Sequence, residues 1–216
     1  PFLTAGHHQF VLLLLFGCSN KNIDESKPEK ICLVLSVGAE KGLAQLGGIE
    51  ALRDLGYSFD CIYGNSAGSI VGAIYSNKPN ANLRKEAWKL GKIYLKKTKQ
   101  EAEDSAVLGF FASLLFGFNP ILGGFVAGSS IERADIDRFS ESADIYFKSK
   151  KIQDLKISYA TSYYDTRKGL VTINKGSIAK AIKNSCNTPL IFGFDKNDRK
   201  FDAGMDRMSA NPIQDA

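Results

Sequence analysis

The sequence predicts an α/β fold with a parallel sheet, and two successive strand–loop–helix units carry that prediction. In each unit a short, continuous apolar run leads into a loop of small residues, and apolar residues at helical spacing follow. Continuous apolar runs are typical of strands that are buried on both faces of a parallel sheet. The 216 residues are enough for one domain with a full core, and 44% hydrophobic residues exclude a wholly disordered chain.

The first unit begins with the strand at residues 30–37 (KICLVLSV) and continues through a small-residue loop to Gly42. Apolar residues from Leu43 to Leu55 then recur at helical spacing, and Gly56 stands where a helix commonly ends. Such a loop directs backbone N–H groups and a helix N-terminus at a ligand above the sheet, either a phosphate or a developing oxyanion. A nucleotide site is disfavoured because the Lys-Ser/Thr ending of a phosphate-binding loop is missing.

The second unit places the strand at residues 59–63 (FDCIY) before the sequence GNSAG, and an apolar helix runs from Ser69 to Tyr75. A GxSxG sequence between a strand and a helix is typical of a nucleophile elbow. Its tight turn presents the hydroxyl of Ser66 at the carboxyl edge of the sheet and requires Gly64 and Gly68 on either side. The alternative interpretation is a small-residue packing turn without catalytic function.

The histidine and cysteine content excludes several other chemistries. Both histidines, His7 and His8, precede the predicted domain, which excludes a Ser-His-Asp triad and a histidine-rich metal site. The four cysteines form no CxxC pair, which argues against a zinc ribbon or a thioredoxin-type site. Cys32 and Cys61 lie in apolar runs and are predicted to be small buried hydrophobic residues. The net charge of +5 comes without a zinc finger or a basic recognition helix, so we expect no nucleic-acid partner.

The second half of the predicted domain contains a hairpin and a helix. Residues 157–164 (ISYATSYY) and 170–174 (LVTIN) are predicted strands around a turn at residues 165–169. Residues 177–186 (SIAKAIKNSC) form a helix that Ser177 caps and that Pro189 stops.

Four segments together resemble the patatin-like phospholipases in order and spacing: SVGAEKGLAQLGGIEAL, GNSAGSIVGAIYS, SIAKAIKNSCNTP and KFDAG, across about residues 31–212. The resemblance implies a three-layer α/β/α sandwich around a central, mostly parallel sheet. It implies hydrolysis of fatty-acyl esters of lipids or phospholipids by a Ser–Asp dyad, through an acyl-enzyme and without a metal or organic cofactor. Ser66 would be the nucleophile and Asp202 the base. The alternative for Asp202 is a turn residue after a strand.

The resemblance also places an oxyanion hole in the first loop. The backbone N–H groups of Val37, Gly38 and Ala39 would donate to the oxyanion, and Lys41 would add positive charge nearby. Val37 and Ala39 stand where the family usually has glycine. If the first of these positions required a left-handed backbone, valine would be costly there.

Ala203, directly after Asp202, is a third position where the family usually has glycine. Together with Val37 and Ala39, it suggests an alternative function. In that alternative, the protein is a catalytically weak or inactive lipid-binding or scaffold protein on the same fold.

The N-terminal residues resemble the export signal of a bacterial lipoprotein. Residues 10–16 (FVLLLLF) fit the short core of a signal peptide, and LFGC at residues 15–18 resembles a lipobox. This interpretation divides the chain into a signal-like segment at 1–17, a polar tether at 18–29 and a hydrolase domain at 30–216. We expect that domain to be truncated at its C-terminus. Cys18 would be lipidated, which implies a membrane-associated protein of the bacterial cell envelope. An ordinary cleaved signal and a buried N-terminal strand are the alternatives.

Two further segments are candidates for contact with a membrane surface. Leu83, Ala87, Leu90 and Tyr94 form an apolar stripe on a predicted helix that is rich in lysine and has Trp88 on its flank. This helix either contacts anionic lipid headgroups or is a solvated surface helix.

Residues 105–131 contain no charged side chain, and glycines and Asn119-Pro120 interrupt them. An apolar cap over the acyl site is the favoured interpretation, with buried packing and a membrane span as alternatives. The sequence leaves the oligomeric state open.

Overall fold

The computed structural model of the protein describes residues 30–38, 42–99, 135–188 and 199–205. The first two strand–loop–helix units form as the sequence predicts, and the strands and helices after them follow in mixed order. Their order is β1 (Cys32–Leu35), α1 (Gly42–Asp54), β2 (Cys61–Gly64), α2 (Ala67–Asn77), α3 (Leu83–Lys99), α4 (Ile136–Phe147), β3 (Ser158–Asp165), β4 (Gly169–Ile173), α5 (Ile178–Cys186) and β5 (Lys200–Asp202).

The strands form one mixed sheet with flanking helices. Strands β1, β2 and β3 are parallel neighbours, and Leu35 pairs with Gly64, which in turn pairs with Thr161. Strands β4 and β5 each pair antiparallel with β3. The predicted α/β/α class with a central, mostly parallel sheet is confirmed.

Strands β2 and β5 pair with successive parts of β3: β2 with its first half and β5 with its second half. The pairing of β2 with β3 stops at Gly64 and Thr161. Two residues further along β3, Tyr163 pairs with β4 on one side and with Asp202 of β5 on the other. Asp202 therefore lies just beyond the carboxyl end of β2, where the chain continues into Ser66.

Helix α2 packs closely on the sheet because its residues are small where it meets the strands. A Cβ atom on Gly72 would lie 2.9 Å from Cγ2 of Ile62 and 3.2 Å from the ring of Tyr159. Leu33, Ile62 and Ile74 are fully buried in this layer. Within the described ranges, no helix combines the length and the hydropathy needed to cross a bilayer.

Cys32 and Cys61 form a disulfide between β1 and β2 and are each half-buried, so the prediction that both are small buried hydrophobic residues is wrong. The two residues are register partners in neighbouring parallel strands, with their Cα atoms 4.6 Å apart. That separation lies within the range that a disulfide spans. The apolar runs predict the two strands but not their register, and the register decides the pairing.

Glu86 connects three helices near the C-terminal end of α2, which is the end opposite to Ser66. Its carboxylate, only 5% exposed, accepts hydrogen bonds from the ammonium groups of Lys78 and Lys89, each at 2.6 Å, and from the hydroxyl of Tyr146 at 2.8 Å. Burial alone would raise the pKa of Glu86, but these donors outweigh it and lower the pKa to about 2.

Replacing Glu86 with glutamine is expected to lower the free energy of unfolding by about 1–3 kcal/mol at neutral pH, because the charge-assisted bonds are lost. A carboxylate with a lowered pKa stabilises the fold above its unfolded pKa near 4.5, and the effect fades as the pH falls towards 2. The difference between wild type and variant in urea unfolding should therefore shrink across that range. The control is Glu141→Gln, which removes a 65% exposed partner of Lys97 and should cost under about 1 kcal/mol. Equal losses in the two variants would contradict the prediction.

Candidate active site

Ser66 lies in the turn between β2 and α2 with a left-handed backbone. Its dihedral angles are φ 52° and ψ −123°, and α2 begins at the next residue. Such a conformation costs an L-residue about 1–3 kcal/mol and persists only where the surroundings enforce it. The positive end of the α2 dipole faces the same position, which favours a developing negative charge there.

The elbow glycines are required by two close approaches of the backbone. A Cβ atom on Gly64 would lie 2.3 Å from the carbonyl oxygen of Gly68, and one on Gly68 would lie 2.4 Å from that of Leu35. Asn65 joins this turn to the sheet, because its N–H donates to Leu35 O at 3.0 Å and its Oδ1 accepts from Ser162 N–H at 3.0 Å. Any side chain at either glycine would therefore displace the turn that carries Ser66.

The last turn of α5 holds the strained backbone of Ser66. The N–H of Ser66 donates to Ser185 Oγ at 2.9 Å, and the carbonyl oxygen of Ser66 accepts from Cys186 Sγ at 3.2 Å. The same carbonyl oxygen also accepts from Ser69 Oγ of α2 at 2.5 Å. Burial raises the pKa of the free thiol of Cys186, so the thiol stays protonated and can donate. Sequence reasoning missed Ser185 and Cys186, whose place at the end of an amphipathic helix was their only signal.

The side chain of Ser66 lies close enough to the carboxyl group of Asp202 to lower its pKa, so the structure brings the two predicted residues together. The carboxyl group is 5% exposed. Its Oδ1 accepts from the N–H of Gly204 at 2.8 Å and its Oδ2 from the hydroxyl of Thr188 at 3.0 Å. Burial raises the pKa of Asp202 above its ordinary value, and the nearby Ser66 side chain and the hydrogen bonds from Gly204 and Thr188 reduce that increase. A carboxylate with a raised pKa is a stronger base towards a hydroxyl.

Residues 185–188 contact both members of this pair. Ser185 and Cys186 bond the backbone of Ser66, while Thr188 bonds the carboxyl group of Asp202. Between them, the carbonyl oxygen of Asn187 accepts from the N–H of Asp202 at 3.0 Å. One short segment therefore sets the position of the hydroxyl relative to the carboxyl group.

The first loop lies beside the turn that follows Asp202. Cγ1 of Val37 is 3.0 Å from the position that a Cβ atom on Gly204 would occupy. The described non-glycine residues with positive φ are Ser66, Lys148 and Ser149, so Val37 has no left-handed backbone and no strain of that kind. The side chain of Gln45 fixes the start of the loop by donating to Ser36 O at 2.7 Å.

Several sequence predictions fall outside the described residues. They concern Ala39 and Lys41 of the oxyanion loop, Cys18 with the whole of residues 1–29, and the uncharged segment 105–131. In the part of the chain that the structure describes, no group of three or more histidine, cysteine or acidic side chains could hold a metal ion.

Thr188 provides a pH test of the base. Because Asp202 has a raised pKa, kcat/KM of any hydrolysis that uses it should fall on the acid side at a pH above 3.8, the ordinary value. The Thr188 hydroxyl lowers this pKa, so Thr188→Val should move the acid limb to higher pH, with a few-fold loss at neutral pH. Thr188→Ser keeps the hydroxyl and should restore the wild-type profile. An acid limb that stays in place in the valine variant would mean that another group titrates.

Known proteins share this arrangement of segments. The family model described as Patatin-like phospholipase matches residues 33–216. Patatin-like phospholipase domain-containing protein 6 of Mus musculus is 26% identical over 156 residues, which cover 72% of this chain and 10% of that protein. Lysophospholipase nte1 of Aspergillus niger is 37% identical over 67 residues, which cover 29% of this chain and 4% of that protein.

The chain thus spans about a tenth, or less, of the length of these curated relatives. Among solved structures, VipD from Legionella pneumophila aligns with a TM-score of 0.38 at 14% identity, over 80% of this chain and 45% of that one. The family model matches far more than half of the sequence, and the chain belongs to the Patatin-like phospholipase family.

Proposed function

We propose that this protein hydrolyses fatty-acyl ester bonds of lipids or phospholipids, with Ser66 as nucleophile and Asp202 as general base and acid. The observation that carries the proposal is the position of the Ser66 side chain beside a buried carboxyl group with a raised pKa. Family membership supports the same class of reaction.

In the acylation step, Ser66 Oγ attacks the ester carbonyl carbon while its proton passes to the carboxylate of Asp202. The tetrahedral intermediate collapses when the bond to the leaving oxygen breaks, and Asp202 returns the proton to that oxygen. The products are a free alcohol and an acyl ester on Ser66. Neither proton transfer needs an imidazole, which agrees with a described domain that contains no histidine.

In the deacylation step, a water molecule attacks the acyl-enzyme and gives a proton to Asp202. The Ser66–acyl bond breaks, the proton returns to Ser66 Oγ, and the fatty acid leaves. The N–H groups of Val37 and Gly38 are the described candidates for stabilising both oxyanions, and Ala39 and Lys41 would complete the hole. Removing one donor of such a hole typically costs about 10²–10³ in rate.

The competing proposal is a lipid-binding protein without turnover, and the backbone of Val37 bears on it. Valine at this position would weaken the oxyanion hole if the position required a left-handed backbone. Val37 does not have a positive φ, so its side chain imposes no such cost. We therefore favour the hydrolase.

The test compares hydrolysis of a short-chain chromogenic ester and of phospholipid vesicles, followed by labelling with a fluorophosphonate. An activated serine forms a covalent adduct with this probe, and mass spectrometry of the labelled peptide should place the adduct on Ser66. Labelling at Ser66 with release of fatty acid is the expected result. A folded protein that binds phospholipid but neither turns it over nor reacts with the probe would favour the binding alternative.

We further propose that the protein is a lipoprotein of the bacterial cell envelope, anchored at Cys18. The Cys32–Cys61 disulfide supports this compartment, because disulfides persist where the surroundings are oxidising. The test is the mass of the Cys18 peptide and the partitioning of the protein into detergent. An unmodified Cys18 in protein from the native membrane would reject the anchor.

A further inference from the structure

We propose that the exposed basic face of α3 binds the surface of an anionic phospholipid bilayer. This face consists of side chains that are all exposed: Arg84, Lys85, Lys89, Lys92 and Lys96. The inference rests on the proposed function only for the choice of a lipid surface as the anionic partner.

Helix α3 contains more positive charge than the chain as a whole. It has seven basic residues and one acidic residue, Glu86, a net charge of +6. The whole chain has a net charge of +5, so the remainder carries a net charge of −1. A cationic surface on an otherwise nearly neutral protein would orient it towards an anionic partner.

The opposite side of α3 is already used by the core. Leu83, Leu90 and Tyr94 are almost completely buried, and Ala87 is partly buried against the same cluster. The predicted apolar stripe therefore packs inward and is not available for insertion into lipid. The basic face alone is presented to solvent, which makes charge attraction the mode of binding.

Three of the five cations of this face are free to meet an anion, because among the described residues Arg84 and Lys89 are the two that pair with a glutamate. In the described part of the chain, Lys85 and Lys96 have no acidic partner, and the Lys92 ammonium lies 5.2 Å from the ring centroid of Trp88. Arg84 pairs with Glu50 at 3.3 Å but keeps 75% of its side chain exposed. Trp88, half-buried between these cations, is the residue type that favours the headgroup level of a bilayer.

Ion pairs connect the C-terminal part of α3 to α4 and α5. Lys97 pairs with Glu141 of α4, and Asp137, one turn earlier in α4, pairs with Lys183 of α5. Lys183 lies two and three residues before Ser185 and Cys186, which bond the backbone of Ser66. The helix that carries the basic face is therefore connected through α4 to the helix that holds Ser66.

The experiment measures co-sedimentation of the full chain with vesicles of phosphatidylcholine, with and without phosphatidylglycerol. All variants also contain Cys18→Ser, so that no acyl anchor contributes. Binding should require phosphatidylglycerol and should weaken as salt is added. Each basic residue near an anionic membrane strengthens partitioning about fivefold. The triple variant Lys85→Gln, Lys92→Gln, Lys96→Gln should therefore bind about 10²-fold more weakly.

The matched control neutralises three exposed lysines that lie outside α3 and α4, with Lys156→Gln, Lys168→Gln and Lys175→Gln. It makes the same change in net charge and should bind almost as well as the wild type. Equal losses in the two triple variants, undiminished binding of the α3 variant, or binding of duplex DNA in preference to the vesicles would each overturn the proposal.

The failure of this inference can be told apart from failure of the proposed function. Ser66→Ala should still bind anionic vesicles while it hydrolyses nothing. The α3 triple variant should hydrolyse a soluble ester at the wild-type rate and lose activity only on anionic vesicles. If the variant loses activity on both substrates, the three substitutions disturb the structure of the protein and not its membrane binding, and the proposal fails.

Discussion

Replacement of Ser66 with alanine is expected to remove ester hydrolysis, with a loss of kcat of about 10⁴-fold or more. Alanine lacks the oxygen that forms the acyl-enzyme, and Asp202 is left without a hydroxyl of residue 66 to deprotonate. The bonds that hold the elbow involve the backbone N–H and carbonyl oxygen of residue 66, and alanine keeps both. The variant should therefore fold, which circular dichroism and urea unfolding would check.

Two companion variants make this result specific. Ser58→Ala alters an exposed serine on the loop before β2 and should leave hydrolysis unchanged. Ser66→Gly should be as inactive as the alanine variant, yet more stable than it by about 1 kcal/mol. The relief of backbone strain, about 1–3 kcal/mol, exceeds the entropic cost of glycine, about 0.5–1 kcal/mol. Wild-type turnover in Ser66→Ala would refute the assignment of the nucleophile.

The first half of the fold could be predicted because it is encoded locally. A continuous apolar run, a small-residue loop and a helical stripe identify β1, β2 and the helices that follow them. The helix cap at Ser177 is local in the same sense, since its side chain accepts from the N–H of Lys180 at 3.3 Å. Each of these signals lies within a few residues of the element it predicts.

The position of β5 and the disulfide could not be predicted in this way, because both depend on register. Three residues, Lys200–Asp202, form a strand too short to identify from alternation. Strand β5 forms because β3 extends past the end of β2 and offers an open edge there. Cys32 and Cys61 likewise meet because β1 and β2 align at their first residues.

The hydrogen bonds around the elbow were also beyond sequence reasoning. Ser185 is 119 residues from Ser66, and no sequence signal distinguishes its hydroxyl until the helix is docked. Thr188 is a helix-stop residue by sequence and a donor to Asp202 by structure. The local GxSxG pattern identified Ser66 and the family resemblance identified Asp202, whereas the residues that position them were visible only after folding.

Replacement of Asp202 with asparagine is expected to lower kcat by about 10³-fold or more, because the variant keeps the shape of the site and loses its base. The N–H of Gly204 can only donate, so the amide oxygen must take the Oδ1 position. The amide NH₂ then takes the Oδ2 position, where the hydroxyl of Thr188 can turn and accept. The variant should therefore fold as the wild type does.

The loss should appear in kcat with little change in KM, because Asp202 is proposed to move protons and not to hold the acyl chain. The combined Ser66→Ala, Asp202→Asn variant should be no less active than Ser66→Ala alone, since residues that act as a unit are not additive. Thr188→Val is the matched control variant. It removes one hydrogen bond to the same carboxyl group and should lower the activity only a few-fold. A loss of only a few-fold in Asp202→Asn would show that another group takes the proton from Ser66, and the dyad would have to be abandoned.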